Sequence, residues 1–124
     1  MKYQNEKEYL QIESLDDHIC IMFYADDEKI LAIGDKINNI NEEAYMNGYN
    51  WEVFFDYYLS KNAPDILNNM DADPEAGMYT AVFELSDENK KRADKFAEII
   101  HHLISNEEEL YKIIRADGDN ILWD

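Results

Sequence analysis

The chain has 124 residues and carries 28 Asp or Glu against 11 Lys or Arg, so its formal net charge is −17. A negative field of this size repels nucleic acid and anionic membranes and attracts cationic partners. The length predicts a single domain over residues 1–124. The hydrophobic fraction of 46% argues against disorder, which requires low hydrophobicity together with high charge.

Cysteine usage and targeting signals limit the cellular setting. Cys20 is the only cysteine, which excludes an internal disulfide and a metal site built from several thiolates. It lies in an apolar segment, where we expect a small buried hydrophobic side chain rather than a nucleophile. The N-terminus lacks the apolar run of a signal peptide, and no stretch approaches the ~18 apolar residues of a membrane span. We therefore expect a cytoplasmic protein.

The first part of the chain predicts a hairpin of two strands. Residues 10–14 alternate between apolar and polar side chains, as a half-buried strand does, and residues 18–24 are apolar on both faces, as in a central strand. Residues 15–17 suit a short hairpin connection. The acidic residues 26–28 then form a turn, and residues 29–33 are predicted as a third strand.

Helical periodicity follows. Apolar residues at three- and four-residue spacing predict a helix over residues 35–46, which Gly48 ends because glycine tolerates the left-handed conformation past a helix terminus. Asn50 is the predicted N-cap of the next helix. Pro64 fits the first turn of a short third helix. The helix after Asn50 carries a broad aromatic stripe made of Trp51, Phe54, Phe55, Tyr58 and Leu59.

The second part of the chain predicts one strand and two longer helices. Residues 78–85 alternate as a strand whose apolar face includes Tyr79 and Leu85. Ser86 is the predicted cap of a long amphipathic helix, and Ser105 with Glu108 has the spacing of a capping box for the last helix. The fold class is therefore α+β, with a small antiparallel sheet packed against several amphipathic helices.

Residues 71–77 (DADPEAG) form the strongest apparent metal motif. Carboxylates at alternate positions are typical of a calcium loop. The EF-hand pattern requires Gly at its sixth position and Glu at its twelfth, and Ala76 and Val82 stand there. We interpret the segment as an acidic turn leading into a strand. His101 and His102 are adjacent, so on a helix they point about 100° apart and are poorly placed to chelate one ion together. We expect no metal and no cofactor.

Motifs for catalysis and nucleic-acid binding are missing from the sequence. There is no nucleophile elbow and no glycine-rich phosphate loop. Carboxylate pairs such as Glu42 and Glu43 are too common in so acidic a chain to single one out. The aromatic residues between Tyr49 and Tyr58 come without the cations of a single-strand binding platform, so core packing is the better interpretation. We therefore expect neither an enzyme nor a nucleic-acid partner.

Two segments resemble a known family. The first contains Gly48, Tyr49, Asn50 and Trp51 and runs on to Pro64, and the second contains Asp73, Pro74, Glu75 and Gly77. In this order, with a long amphipathic helix behind them, they resemble the immunity protein 51 family of bacterial polymorphic toxin systems. The likeness covers roughly residues 33–115.

The resemblance implies a small α+β protein that binds and neutralises a toxin domain, with no catalysis and no cofactor. It identifies neither the toxin nor the contact residues nor the oligomeric state. The matching residues have structural interpretations as well. Trp51 is predicted to anchor the core at a helix start, and Gly77 to permit a tight entry into a strand.

The acidic composition agrees with a basic partner. A nuclease toxin needs a basic surface to hold phosphates, and carboxylates can occupy such a surface after fast, steered association. Three acidic clusters are candidate contact faces, and each is also explained as a solvated loop. They are Asp26, Asp27 and Glu28; Glu42 and Glu43; and Asp71, Asp73 and Glu75.

Two other functions stay open at this stage. One is an acidic adaptor or regulatory domain that binds a protein unrelated to toxins, which a neighbouring toxin gene would argue against. The other is a small hydrolase that uses an unrecognised carboxylate pair, which a deep pocket holding two carboxylates of shifted pKa would favour.

Overall fold

The computed structural model describes residues 9–124. Four strands form one antiparallel sheet in the order β1-β2-β4-β3, which confirms the predicted α+β class. The strands are β1 (Leu10–Leu15), β2 (His18–Tyr24), β3 (Asp71–Glu75) and β4 (Met78–Glu84). The helices are α1 (Glu28–Ile40), α2 (Gly48–Asn62), α3 (Pro64–Leu67), α4 (Asp87–Ser105) and α5 (Glu107–Asp117), followed by a 3₁₀ turn at Gly118–Asn120.

The helices cover one face of the sheet. On the two central strands, Phe23 is paired with Tyr79 and Ile19 with Phe83, and all four side chains are buried. Because successive side chains of a strand point to opposite faces, every second residue of these strands shares this buried face, and the residues adjacent to each of them lie on the other side of the sheet. Those intervening residues keep partial exposure on both central strands. The molecule therefore has two layers, with the core between sheet and helices.

The predicted third strand over residues 29–33 is wrong, because these residues form the first turns of α1. Asp27 caps this helix, and its Oδ1 accepts hydrogen bonds from two N–H groups of the first turn at 2.9 and 3.4 Å. Ile30, Ile33 and Ile37 are buried at helical spacing. A short run of apolar residues is compatible with either a strand or a helix. The Asp27 cap identifies this one as a helix. The helix predicted over residues 35–46 accordingly ends early, at Ile40.

Gly48 begins a helix and does not end one. Asn47 is the N-cap of α2, and its side-chain oxygen accepts a hydrogen bond from the N–H of Asn50 at 3.0 Å. The predicted cap, Asn50, is buried in the first turn. Its amide donates to the Tyr45 carbonyl oxygen at 2.8 Å, and its oxygen accepts from the N–H of Asp124 at 2.6 Å. Asn50 therefore ties α2 to the preceding loop and to the C-terminal segment.

The other helix starts agree with the sequence in two cases of three. Ser86 caps α4 and accepts a hydrogen bond from the N–H of Asn89 at 3.0 Å, and Pro64 is the first residue of α3. The predicted capping box at Ser105 is wrong. Ser105 is the last residue of α4, and Asn106 separates the two helices.

Two details of the second hairpin also differ from the prediction. The acidic residues 71–75 are themselves an edge strand, and only Ala76 and Gly77 form the turn before β4. Leu85, predicted on the apolar face, lies past the end of β4 and is exposed. Cys20 is half-buried rather than buried, because its side chain lies on the sheet face that the helices leave uncovered.

An aromatic cluster joins the sheet to the helices. Phe23 of β2 packs edge-on against Trp51 and Phe55 of α2, with ring centroids 5.0 and 5.3 Å apart. Phe55 in turn contacts Tyr79 of β4 at 5.3 Å and Phe96 of α4 at 5.6 Å. Such pairs add roughly 0.5–1.5 kcal/mol each to the burial of their apolar area. The predicted aromatic stripe is therefore the centre of the core.

We expect Trp51→Ala to lower the free energy of unfolding by about 3–5 kcal/mol, because the truncation leaves a cavity between α2 and β2. Trp51 is 1% exposed, whereas its neighbour Tyr49 is 40% exposed. Tyr49→Ala is the matched control and should change the free energy by about 0.5 kcal/mol or less. Denaturant unfolding measures both variants, and an unchanged midpoint for Trp51→Ala would contradict its place in the core.

Candidate partner interface

Charge is segregated between the two layers. Residues 10–24 and 71–84 contain the four strands with their hairpin turns, and they hold seven acidic residues and no Lys or Arg. Within residues 9–124, every Lys and Arg lies in α1, α2, α4 or α5. The strands and hairpins therefore carry acids without Lys or Arg, and the helices carry charges of both signs.

The face of the sheet that points away from the helices is called here the open face. Its two middle strands carry six half-buried side chains, which we name the central strip: Cys20, Met22 and Tyr24 of β2, and Met78, Thr80 and Val82 of β4. The register pairs each residue of one strand with one of the other across the strip. The strip is mostly apolar, although it lies on the side of the sheet that the helices leave uncovered.

Acidic side chains flank the central strip. Asp71, Asp73 and Glu75 are exposed and all lie on the open face of β3, because they are paired with Val82, Thr80 and Met78 of the strip. None of the three forms an ion pair with another residue of the range 9–124. On the opposite edge, Glu13 of β1 is paired with Cys20. Charged edge strands also discourage sheet-to-sheet aggregation, so the acids have a structural use as well.

The cluster at Asp26, Asp27 and Glu28 lies at one end of the sheet. The N–H groups of Ala25 and Asp26 donate to the carbonyl oxygen of Gly77 at 3.0 and 3.3 Å. These bonds hold the cluster beside the β3–β4 turn and close to Glu75. Asp27 is occupied in capping α1, whereas Asp26 and Glu28 are exposed.

Glu42 and Glu43 lie elsewhere, in the connection between α1 and α2. The N–H of Glu43 donates to Asn41 Oδ1 at 3.0 Å, and the Asn41 amide donates to Asp119 Oδ1 at 3.3 Å. Both glutamates are exposed next to the C-terminal turn, and neither belongs to a strand or a hairpin. The structure thus brings together two of the three acidic clusters and separates the third.

The glycines of the two recognised segments are packing positions. The N–H of Gly48 donates to the Ala76 carbonyl oxygen at 2.9 Å. A Cβ on Gly48 would lie 1.7 Å from the Glu75 carbonyl oxygen and 2.6 Å from that of Met78, so only glycine lets α2 meet the hairpin. Gly77 lies against the Asp26 side chain, whose Oδ2 would be 3.1 Å from an added Cβ.

The remaining residues of those segments differ in exposure. Trp51 and Asn50 are buried, and Pro74 of the edge strand is paired with Tyr79. Proline is tolerated on an edge strand because its missing N–H can face away from the ladder. Tyr49 is exposed, and its side chain has no packing role comparable to that of Trp51.

The two histidines hold separate hydrogen bonds. Nδ1 of His101 lies 3.2 Å from the Tyr9 hydroxyl, and Nε2 of His102 lies 2.6 Å from Glu109 Oε2. Over residues 9–124, no group of three or more His, Cys, Asp or Glu side chains is placed to hold a metal ion.

Glu52 and Asp56, one turn apart on α2, are the described carboxylates whose pKa values burial perturbs. Burial raises the pKa of both, and the charge of Asp56 raises that of Glu52 further. Asp56 lines an apolar groove of about 410 Å³ with Val53 and Leu122, but Glu52 does not. Acid–base catalysis by two carboxylates needs both groups to face the same pocket, and only Asp56 of this pair does so. The pair therefore does not match the hydrolase alternative.

The comparison with family models decides the classification. The model described as immunity protein 51 matches residues 10–119, which include all four strands and all five helices. The chain belongs to the immunity protein 51 family. No curated protein and no solved structure matches it. Membership gives this family member the general role of an immunity protein, with a toxin as its partner. None of its described helices is both long enough and apolar enough to cross a membrane.

Sequence reasoning missed the central strip of this immunity protein. The signal was present in residues 78–84, where Met78, Thr80 and Val82 alternate with the buried set. In β2, however, both faces are apolar, which indicated a strand covered on both sides. Only the placement of all five helices on one face identifies the other face as open.

We expect Gly48→Ala to destabilise the protein by more than 3 kcal/mol, since the new methyl group collides with hairpin backbone that cannot move aside. Gly118→Ala is the control. There the nearest atom is the end of the Asn41 side chain at 2.9 Å, which can rotate away. Thermal unfolding compares the two, and equal losses of stability would refute the backbone contact.

Asp56→Asn should raise the stability at neutral pH. The folded protein raises the pKa of Asp56 through burial, so it disfavours the ionised carboxylate, and stability present at low pH is lost as the pH rises through the folded-state value. The neutral amide escapes this loss. The advantage should shrink as the pH falls below about 4, where the carboxyl is protonated in both states. Unfolding curves measured against pH test this, with exposed Asp35→Asn as control; a lower stability of Asp56→Asn at pH 7 would contradict it.

Proposed function

We propose that this protein neutralises a basic toxin domain of a bacterial polymorphic toxin system by binding it through the acidic surroundings of the sheet. The neutralisation takes place in the cytoplasm of the cell that makes the toxin. The observation that carries the proposal is the segregation of charge: the strands and their hairpins, residues 10–24 and 71–84, hold seven acids and no Lys or Arg. Membership of the immunity protein 51 family supplies the class of partner.

Electrostatics makes this surface suited to fast capture. Clustered charge of one sign raises association rates by 10–10³-fold when the partner is complementary. Asp71, Asp73 and Glu75 are two residues apart in β3, so their side chains form a row with a spacing of about 7 Å. A toxin that acts on nucleic acid needs cations to hold phosphates, and such a row competes for those cations. The same charge keeps nucleic acid away from the immunity protein.

An acidic adaptor that binds a protein unrelated to toxins remains the second candidate. The acidic surface alone suits either function, and family membership favours toxin binding. The gene next to this one separates the two. A neighbour that encodes a secreted protein with a C-terminal toxin domain supports neutralisation, and that domain is the partner for the experiments.

The sharpest test of the binding surface compares two double charge reversals. Asp71→Lys with Asp73→Lys alters the row on β3, and Glu42→Lys with Glu43→Lys alters the acidic loop that the structure places elsewhere. Both change the net charge by the same amount, so any difference reports position. The β3 variant should lower the association rate constant with the toxin domain by about tenfold at low salt. The loop variant should change it by less than about threefold.

Stopped-flow or surface measurements at increasing salt provide the readout. The difference in association rate constant between the two variants should become smaller as the Debye length falls from about 10 Å at 0.1 M salt to about 3 Å at 1 M. If both variants lower the association rate constant equally, the net charge and not its position determines the rate. If the loop variant lowers it more, the interface lies on the helical layer.

A further inference from the structure

The central strip departs from what a solvent-facing sheet surface carries. Antiparallel sheets with one wet face alternate between apolar residues toward the core and polar residues toward water. The edge strands of this protein follow the rule, with Glu13 on β1 and three acids on β3. On the middle strands the rule fails, since Met22, Met78 and Val82 occupy the wet face. Burial between sheet and helices does not require them.

The arrangement has the anatomy of a protein contact surface. Specific interfaces place apolar residues at the centre and polar or charged residues around them, and here acids flank an apolar strip. Methionine is common in surfaces that adapt to a partner, because its side chain is flexible and polarizable. Tyr24 adds a ring whose hydroxyl donates to Gln11 Oε1 at 3.1 Å, which leaves the ring itself available for contact.

The dimensions indicate how far a partner extends. Four strands about 4.8 Å apart and five to seven residues long, at ~3.4 Å per residue, cover on the order of 400 Å². A stable interface takes about 800 Å² from each partner. A partner centred on the strip therefore also reaches the edge acids, including Glu75, and the turn that carries Asp26. The two edge strands are about 14 Å apart. Groups of the partner that contact both edges should be separated by about the same distance.

We infer that the central strip is the contact centre for the toxin domain, and that it receives an apolar side chain flanked by Lys or Arg residues on the toxin surface. This rests on the proposed function. The charge complementarity is strongest toward β3, where Asp71, Asp73 and Glu75 lie one strand away from Met78, Thr80 and Val82. The acids guide the encounter, and desolvation of the strip holds the complex together.

Cys20 provides a native probe of the strip. It is the only cysteine of the chain and is paired with Val82 in the middle of the open face. Burial, and then the charge of Glu13, raises the pKa of its thiol, so alkylation is followed at mildly alkaline pH. Mass spectrometry counts iodoacetamide adducts over time, for the protein alone and with the toxin domain encoded by the adjacent gene.

The complex should slow alkylation of Cys20 by about tenfold or more, because reaction requires access to the thiol. The matched control is Cys20→Ser with Leu31→Cys, which moves the single thiol to a side chain of α1 that is 48% exposed. The alkylation rate of this control variant in the complex should stay within about twofold of its rate without the toxin domain. A thermal melt first establishes that the control variant is folded.

A second measurement tests whether the strip holds the partner. Met22→Gln keeps the length of the side chain and makes it polar, so it should raise the dissociation rate constant by about tenfold and leave the association rate constant within about threefold. Leu31→Gln on the helical layer should change neither. An unchanged dissociation rate for Met22→Gln would overturn the contact centre.

The outcomes separate this inference from the proposed function. If the complex forms and Cys20 is alkylated as fast as in the free protein, the strip is not the contact centre. That result does not contradict the proposed neutralisation. Failure to form any complex at low salt overturns the proposed function itself. Protection of Cys20 in the isolated protein, rising with its concentration, would show that a second copy of the chain occupies the strip, and this also overturns the inference.

Discussion

The structure depends on an aromatic cluster that binds the helices to one face of the sheet. Phe23 of β2, Trp51 and Phe55 of α2 and Phe96 of α4 lie within 5.0 to 5.6 Å of a neighbouring ring. Because this cluster draws the helices to the same side, no helix of residues 9–124 covers the other side of the sheet. The open face is thus a direct consequence of how the core is built.

The charged residues are also divided between the sheet and the helices. The strands and hairpins hold acids and no Lys or Arg, and the described cations all lie on helices. Mutual repulsion among unpaired carboxylates at the sheet opposes folding, and burial of the aromatic cluster offsets it. In the proposed complex, a basic toxin domain would relieve that repulsion, so charges that weaken the free protein would strengthen the complex. Membership of the family assigns the general role of an immunity protein. The distribution of charge supports the proposed basic partner.

The sequence predicted the fold class and most elements, because Ser86 and Pro64 each have one structural interpretation and the aromatic stripe of α2 lacks the cations of a nucleic-acid platform. It failed at residues 29–33 and at Gly48, where the local pattern fits two structures and tertiary contacts choose between them. Glycine is common after helices, but here a hairpin carbonyl 1.7 Å from the position of an added Cβ demands it at a helix start. The central strip was missed, since both faces of β2 are apolar and do not reveal which one the helices will cover.

Survival of cells that produce the toxin domain tests the central claim most directly. The domain encoded by the adjacent gene is expressed alone, with this protein, and with a destabilised variant as control. The account predicts that the native protein restores growth, and that a complex is recovered from those cells at low salt. Cells that die as readily with the protein as without it, and yield no complex, would contradict the account.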